Sequence, residues 1–196
     1  MKQIRSIFLA AAVLWAAPSL WAAKYNIDPA HSDVSFRVRH MMVSKVGGRF
    51  EAFSGTFEHD SKNLKLWKAE AVIQTGSINT SNAKRDAHLK SPDFFDAQKY
   101  PTLTFKSTEV TDATPERAKL HGLLNIHGIE KPVVFDLEIH GVVKDPWGNT
   151  RAAFTAAAKI NRKDFGLTWN QALETGQLLV GEEVALLLEV EGLLQE

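Results

Sequence analysis

Apolar and polar residues alternate with a period of two in eight separate segments of this chain, and this pattern restricts the fold more than any other feature. In the first segment, Val34, Phe36 and Val38 lie between polar or charged neighbours. Such alternation gives a strand one apolar and one solvated face, which is typical of antiparallel sheets. The segments are residues 31–42, 53–58, 68–75, 103–108, 120–126, 135–140, 154–160 and 184–190. The pattern predicts an all-β fold, an eight-stranded antiparallel barrel.

Residues 81–100 lack this alternation and mix polar with aromatic side chains. Ser91 suits the N-cap of a helix, and Pro92 and Asp93 suit its first turn. A single helical insert in an antiparallel chain is expected to cap one end of the barrel. A barrel with a capped end usually encloses a ligand.

An outer-membrane barrel is the alternative that alternation alone leaves open. Such a barrel turns its apolar face outward to lipid and has strands of about 9 to 11 residues. Here the face opposite the apolar one carries Lys, Glu, Asp, Arg and His, and most segments are shorter. A soluble barrel with an apolar interior is therefore favoured.

The first 23 residues have the pattern of a secretory signal peptide. Lys2 and Arg5 precede an uncharged apolar run over residues 7–17, and cleavage is expected after Ala22 or Ala23. The predicted organisation is a signal peptide over residues 1–23 and one domain over residues 24–196. The predicted location is the periplasm of a Gram-negative bacterium, with secretion from another kind of cell as the alternative.

Charge and cysteine content exclude several functions. Without Lys2 and Arg5, the balance of 23 basic and 23 acidic residues becomes slightly negative, so no basic stripe is present to bind nucleic acid. The chain has no cysteine, which excludes a thiol nucleophile, a thiolate metal site and disulfides. About 173 residues remain after the signal peptide, enough to bury one core.

The inward face of the predicted strands mixes phenylalanine with small residues. The small residues are Ala69, Ala71, Ala156, Ala158, Gly55 and Gly122. They leave space beside the rings, although the same mixture would also let a solid core interlock. A hollow interior of this kind offers dispersion and dehydration but almost no hydrogen bonds, which suits a lipid tail. The predicted lipid-binding residues are Phe36, Val38, Phe50, Phe53, Ala71, Ile73, Phe105, Leu124, Phe135, Leu137, Phe154, Ala156, Leu186 and Leu188.

Motifs along nearly the whole chain resemble those of the YceI-like family of exported, lipocalin-like proteins. They are residues 25–28, 31–32, 36–40, 48–50, 53–57, 85–96, 100–102, 122–128, 131–133, 145–148 and 162–167. The resemblance implies an extended antiparallel barrel whose interior binds a polyisoprenoid or a similar amphiphilic lipid, often as a homodimer.

The densest ionisable cluster contains Arg85, Asp86 and His88. A catalytic interpretation would make His88 a general base oriented by Asp86, but neighbours at these spacings do not all converge on one face of a helix. A solvated helix face is favoured, with Arg85 or Lys90 as a candidate contact for an anionic head group.

Seven histidines raise the question of a metal site. His121 and His127 would share a strand face, but no pair has the spacing of a zinc protease, and solvated or core histidines are favoured. Trp147 and Trp169 lie in turn-like segments and are expected to hold loops against the barrel end.

These observations predict a periplasmic, non-enzymatic carrier of a long apolar amphiphile, with no metal, no cofactor, no nucleic-acid partner and no membrane-spanning segment. A stress-protective or structural module without a ligand is the first alternative. A small hydrolytic enzyme is the second.

Overall fold

The computed structural model describes residues 22–60, 63–174, 176 and 178–195, so the predicted signal peptide lies almost entirely outside the described residues. The strands are β1 Ala23–Ile27, β2 Asp33–His40, β3 Ser44–Phe50, β4 Phe53–His59, β5 Lys68–Gln74, β6 Ile78–Asn79, β7 Thr102–Thr111, β8 Arg117–Ile126, β9 Ile129–Lys144, β10 Thr150–Asn161 and β11 Val180–Leu194. One α-helix, α1, spans Ala83–Lys90, and short 3-10 helices span Leu64–Leu66, Thr75–Ser77 and Arg162–Phe165.

The eleven strands form one closed antiparallel barrel of eight rows. Three of the rows consist of two strands separated by a break. β1 and β2 form the first of these rows and both pair with β11, β3 and β4 form the next row, and β5 and β6 form the third. The pairing of Tyr25 with Leu194 closes the circle. The predicted eight-stranded antiparallel barrel is confirmed. Its eight segments correspond to β2, β4, β5 and β7 to β11, whereas β1, β3 and β6 were not predicted.

The break between β1 and β2 has a local cause. Asp28 accepts hydrogen bonds from the backbone N–H of Ala30 through its carboxylate (3.0 Å) and from that of His31 through its carbonyl (3.1 Å). Pro29 has no N–H to donate to a neighbouring strand. The chain therefore turns here and rejoins β11 further along.

Apolar side chains point into the barrel, and aromatic rings fill one end of it. Tyr25 and Trp67 stack on Phe57, with ring centroids 5.1 and 5.8 Å apart, and Phe154 meets Trp67 edge to face at 4.9 Å. We call this the aromatic end. The opposite end carries the β2–β3 turn and α1, and we call it the hairpin end.

The helix begins and ends where the sequence prediction did not place it. Asn82 is the N-cap, and its side chain accepts a hydrogen bond from the backbone N–H of Arg85 (3.0 Å). The prediction of Ser91 as N-cap is wrong, because Ser91 is the C-terminal cap of α1 in extended backbone. Pro92 disfavours helical backbone in the residue before it, which explains this end. The remainder of the insert covers the barrel, and Phe95 packs edge to face on Phe50 at 5.9 Å.

Two inward glycines do not leave space, contrary to the expectation from the sequence. A Cβ at Gly122 would lie 2.4 Å from the ring of Phe105, which occupies that space. A Cβ at Gly55 would lie 2.3 Å from the carbonyl oxygen of Glu70. Both glycines allow close approach to the backbone, so any hollow must come from the alanines.

Candidate functional site

A cavity of about 110 Å³ lies inside the barrel, between the aromatic end and the hairpin end. Eleven of the predicted residues line it: Phe36, Phe50, Ala71, Ile73, Phe105, Leu124, Phe135, Phe154, Ala156, Leu186 and Leu188. The interior is therefore hollow at the position that the alternation indicated. That these residues contact a lipid stays a prediction.

Three predicted residues do not line the cavity. Val38 lies nearer the hairpin end, opposite Val46 and Val184. Leu137 is buried in the core between its partners Ala118 and Ala156. Phe53 packs against the core at the start of β4. All three point inward, but the period of two tells neither how far along the barrel axis a residue lies nor how its side chain packs.

The sequence prediction omitted ten residues of the wall. They are Ile27, Val34, Ser35, Phe57, Ala69, Glu70, Leu103, Leu120, Ile126 and Val190. Most belong to the same alternating pattern and could have been predicted from it. Ile27 lies on β1, whose short pattern was missed.

The wall of the cavity is apolar. The two polar residues in it direct their side chains elsewhere: the Ser35 hydroxyl donates to the carbonyl of Leu187 (2.9 Å), and the Glu70 carboxylate pairs with Lys106 on the exposed surface (3.0 Å). Such a site binds by dispersion and dehydration and offers no polar side chain for a head group. At about 110 Å³ the cavity is smaller than an engineered cavity of about 150 Å³ that binds benzene in another protein, so it holds only a short segment of an apolar chain.

The barrel is less tightly packed at the hairpin end. Val38, Val46, Ile160 and Val184 point inward but are only partly buried, whereas Phe57 at the aromatic end is 1% exposed. We call these four residues the mouth. Val38 and Val184 are the next inward residues after Phe36 and Leu186 of the cavity wall, so a chain too long for the cavity would extend towards the mouth and not towards the filled aromatic end.

A buried histidine takes part in closing the aromatic end. His59 is 6% exposed, and its Nδ1 accepts a hydrogen bond from the indole Nε1–H of Trp67 (2.5 Å). Burial lowers the pKa of His59, because the imidazolium form would lose both solvation and this acceptor.

Acidification is expected to destabilise the barrel through His59. The folded state holds the neutral imidazole, so stability is fully present above the unfolded pKa of about 6.5 and is lost as the pH falls from there through the lowered folded pKa. Urea unfolding at a series of pH values measures this. His59→Gln supplies an acceptor that does not titrate, and its stability should change less between pH 7 and pH 5. Equal slopes for both proteins would contradict the assignment.

The polar cluster of the insert is held by contacts within the chain. The Arg85 Nε and Nη2 atoms donate to the hydroxyl and the carbonyl of Thr80, both at 2.8 Å, and Asp86 accepts from the same hydroxyl at 2.5 Å. His88 bonds to Asp93 (2.8 Å), so the idea that Asp86 orients His88 is wrong. Contact of Arg85 or Lys90 with a head group stays a prediction.

Trp147 and Trp169 differ in their surroundings. Trp169 packs on His88 at 4.8 Å and holds its loop to the insert, as expected, whereas Trp147 is 81% exposed and does not hold its turn against the barrel.

His127 lies in the β8–β9 turn with φ 55°, so it does not share the strand face of His121.

Asp28, His31 and Glu191 form one group whose candidate ligand atoms lie within 4.8 Å of one another. The Arg151 guanidinium bonds to Asp28 (3.0 Å) and to Glu191, and it also bonds to Asp145 (3.0 Å). Hydrogen bonds from Asn149 and then Arg151 lower the pKa of Asp145 to about 2. One guanidinium thus bonds to all three carboxylates, and the group serves to tie the β1–β2 break to β10 and β11.

Sequence reasoning missed Arg162, which is 4% exposed. Its Nε donates to the carbonyl of Gly181 (2.9 Å), its Nη1 to that of Leu167 and its Nη2 to that of Val180 (3.5 Å). Burial lowers the pKa of this guanidinium. Arg162 thus joins the loop after β10 to the start of β11 at the hairpin end.

No helix among the described residues combines the length and the apolar character needed to cross a bilayer.

Comparison with known proteins gives consistent matches. A family model described as the YceI-like domain matches residues 25–192. A UPF0312 protein of Pseudomonas aeruginosa is 38% identical over 197 residues, and protein YceI of Salmonella newport is 38% identical over 198 residues, with both chains covered completely in each case.

Solved structures share the fold. The YceI protein of Campylobacter jejuni has a TM-score of 0.70 and 35% identity, covering 86% of this chain and 96% of that chain. BcnA of Burkholderia cenocepacia has a TM-score of 0.74 and 22% identity, covering 84% and 98%. A polyisoprenoid-binding domain of Saccharophagus degradans has a TM-score of 0.65 and 15% identity, covering 89% and 99%.

Proposed function

The chain belongs to the YceI-like family, and from that premise we propose that it binds one slender apolar chain of a polyisoprenoid or similar amphiphilic lipid inside the barrel. The observation that carries the proposal is the cavity, whose wall directs no polar side chain inward. The Saccharophagus domain, described as polyisoprenoid-binding, has the same fold, which supports this ligand class.

The arrangement favours binding over catalysis. A ligand chain in the cavity would touch only carbon-rich side chains such as Phe36, Phe105 and Leu188, none of which transfers a proton or attacks a bond. The polar end of the ligand would remain at or beyond the mouth. Apolar area removed from water contributes about 25 cal/mol per Å², so affinity should rise with the length of chain that the barrel encloses.

Extraction of the protein purified from its own host tests the proposal. Organic extraction followed by mass spectrometry should recover one isoprenoid or fatty amphiphile per barrel. Protein recovered empty, and still empty after incubation with polyisoprenoid, would favour a structural module without a ligand.

The proposed location is the periplasm, on the strength of the N-terminal signal pattern. Cell fractionation should recover the processed chain with periplasmic markers, and recovery of the full-length chain in the cytoplasm would contradict it. The homodimer that the family resemblance implies is also a proposal, and light scattering of the purified protein measures it.

A further inference from the structure

The turn between β2 and β3 exposes three apolar residues in succession. Met41 is 40% exposed, Met42 44% and Val43 83%. The turn is closed by a hydrogen bond from the backbone N–H of Val43 to the carbonyl of His40 (3.2 Å), and the N–H of Met41 donates to Leu179 (2.8 Å). The three side chains therefore stand on a defined backbone rather than on a loose loop. We call Met41, Met42 and Val43 the apolar tip.

The backbone of the apolar tip is unfavourable for its residues. Met41 and Met42 have φ of 51° and 61°, in the left-handed region that Asn and Gly normally occupy in such turns. The other non-glycine residues with positive φ in the described part of the chain are polar: Ser81, Asp96, Asp112 and His127. An unfavourable conformation kept by exposed apolar residues points to a use outside the folded chain.

Unpaired cations flank the apolar tip. Arg37, Arg39 and Lys45 point outward from the same hairpin, and they have no ion-pair partner among the described residues. The acidic residues at the start of β11 are already engaged, since Glu182 binds Lys163 (2.5 Å) and Glu183 binds Lys159 (3.1 Å). Exposed apolar side chains beside unpaired cations are the combination that binds the surface of an anionic bilayer.

The apolar tip and the mouth belong to the same end of the barrel. Val38 and Val46 of the mouth are carried by the two strands that form the tip, and Phe36 on β2 lines the cavity. A surface that holds the tip would therefore face the mouth.

We propose that the β2–β3 hairpin docks the barrel on an anionic lipid bilayer. Met41, Met42 and Val43 enter the head-group region, and Arg37, Arg39 and Lys45 bind lipid phosphates. This extends the proposed function, because docking turns the mouth towards the bilayer from which a lipid would enter. The docking itself requires no isoprenoid, so it is tested separately from ligand binding.

Vesicle co-sedimentation tests the proposal. The chain should begin at Ala23, after the expected cleavage site, since the apolar stretch before it would bind lipid by itself. The vesicles are phosphatidylglycerol and phosphatidylcholine in equal parts, compared with phosphatidylcholine alone, and neither contains isoprenoid. We expect binding to the mixed vesicles only, weakened by added salt.

Two variants and one control locate the surface. Met41→Asn with Met42→Gly installs residues that suit the turn, so it should fold at least as well while binding at least tenfold more weakly. Arg39→Gln with Lys45→Gln should weaken binding roughly fivefold for each cation removed. Trp147→Ser, at an exposed turn of the opposite end, should bind as the unmodified chain does.

Equal binding to both kinds of vesicle, or none to either, would overturn the proposal. So would full binding by the variant with Met41→Asn and Met42→Gly, or loss of binding by Trp147→Ser. Vesicle binding that succeeds while the protein proves empty, both from its host and after incubation with polyisoprenoid, would uphold docking and refute the proposed ligand. The reverse combination would refute docking alone.

Discussion

Replacing Arg162 with leucine is expected to lower the free energy of unfolding by about 2 to 4 kcal/mol. The guanidinium is 4% exposed and donates to three backbone carbonyls, those of Leu167, Val180 and Gly181. Leucine removes the Arg162 donor from the carbonyls of Leu167 and Gly181, at about 1 to 3 kcal/mol each before relaxation, whereas the carbonyl of Val180 still accepts from the Asn170 side chain (2.7 Å). The loop after β10 would then lose one of its attachments to β11. Urea unfolding followed by tryptophan fluorescence measures the difference.

Lys163→Gln is the matched control for Arg162→Leu. Lys163 is the next residue in the chain, and its ion pair with Glu182 lies on the surface. Exposed ion pairs contribute about 0 to 1 kcal/mol, so this variant should unfold close to the unmodified protein. If Arg162→Leu were no less stable than Lys163→Gln, the hydrogen bonds of the guanidinium would not be what holds the loop after β10 to β11.

Ala156→Phe is expected to abolish ligand uptake while the barrel still folds. Ala156 is 4% exposed, lies opposite Leu188 on the neighbouring strand and lines the cavity. A benzyl group there would take up most of the hollow. Overpacking costs about 1 to 3 kcal/mol, which a barrel of this size should tolerate. Mass spectrometry of the lipid retained per barrel, with circular dichroism as the test of folding, gives the result.

Ala157→Phe places the same side chain on the same strand but on the outer face, because successive residues of β10 point to opposite sides. It should leave ligand content unchanged. Ala71→Phe fills the cavity from β5 and serves if Ala156→Phe does not fold. Undiminished uptake by a folded Ala156→Phe or Ala71→Phe would mean that the ligand binds elsewhere.

Much of the fold was accessible from residue order because alternation is local. Phe36, Phe105 and Leu188 were assigned to the inside from their immediate neighbours alone, and all three line the cavity. The β1–β2 break could also have been foreseen, since Asp28 followed by Pro29 is a turn signal. The helix ends were misplaced because Asn82 and Ser91 are both acceptable caps, and Pro92 suits the first turn of a helix as well as the position just after its end.

The candidate site was harder to predict than the fold. Leu137 and Ala156 look equivalent in an alternating pattern and lie directly opposite each other on β9 and β10, yet only Ala156 lines the cavity, because alternation gives the face of a residue and not the packing of its side chain. The role of Arg162 could not be foreseen, because its partners are backbone carbonyls up to 19 residues away. The strained turn at Met41 and Met42 has no sequence signal either, since methionine is not a turn residue.

Residue order by itself determined the antiparallel strands, their inward faces and the family, because side-chain period and motif spacing are properties of the chain taken along its length. Only the tertiary structure decided that the interior is hollow, which end is filled and which end carries unpaired cations beside an exposed apolar turn. These features depend on how strands distant in sequence are staggered against one another, and the stagger cannot be deduced from the sequence of any single strand.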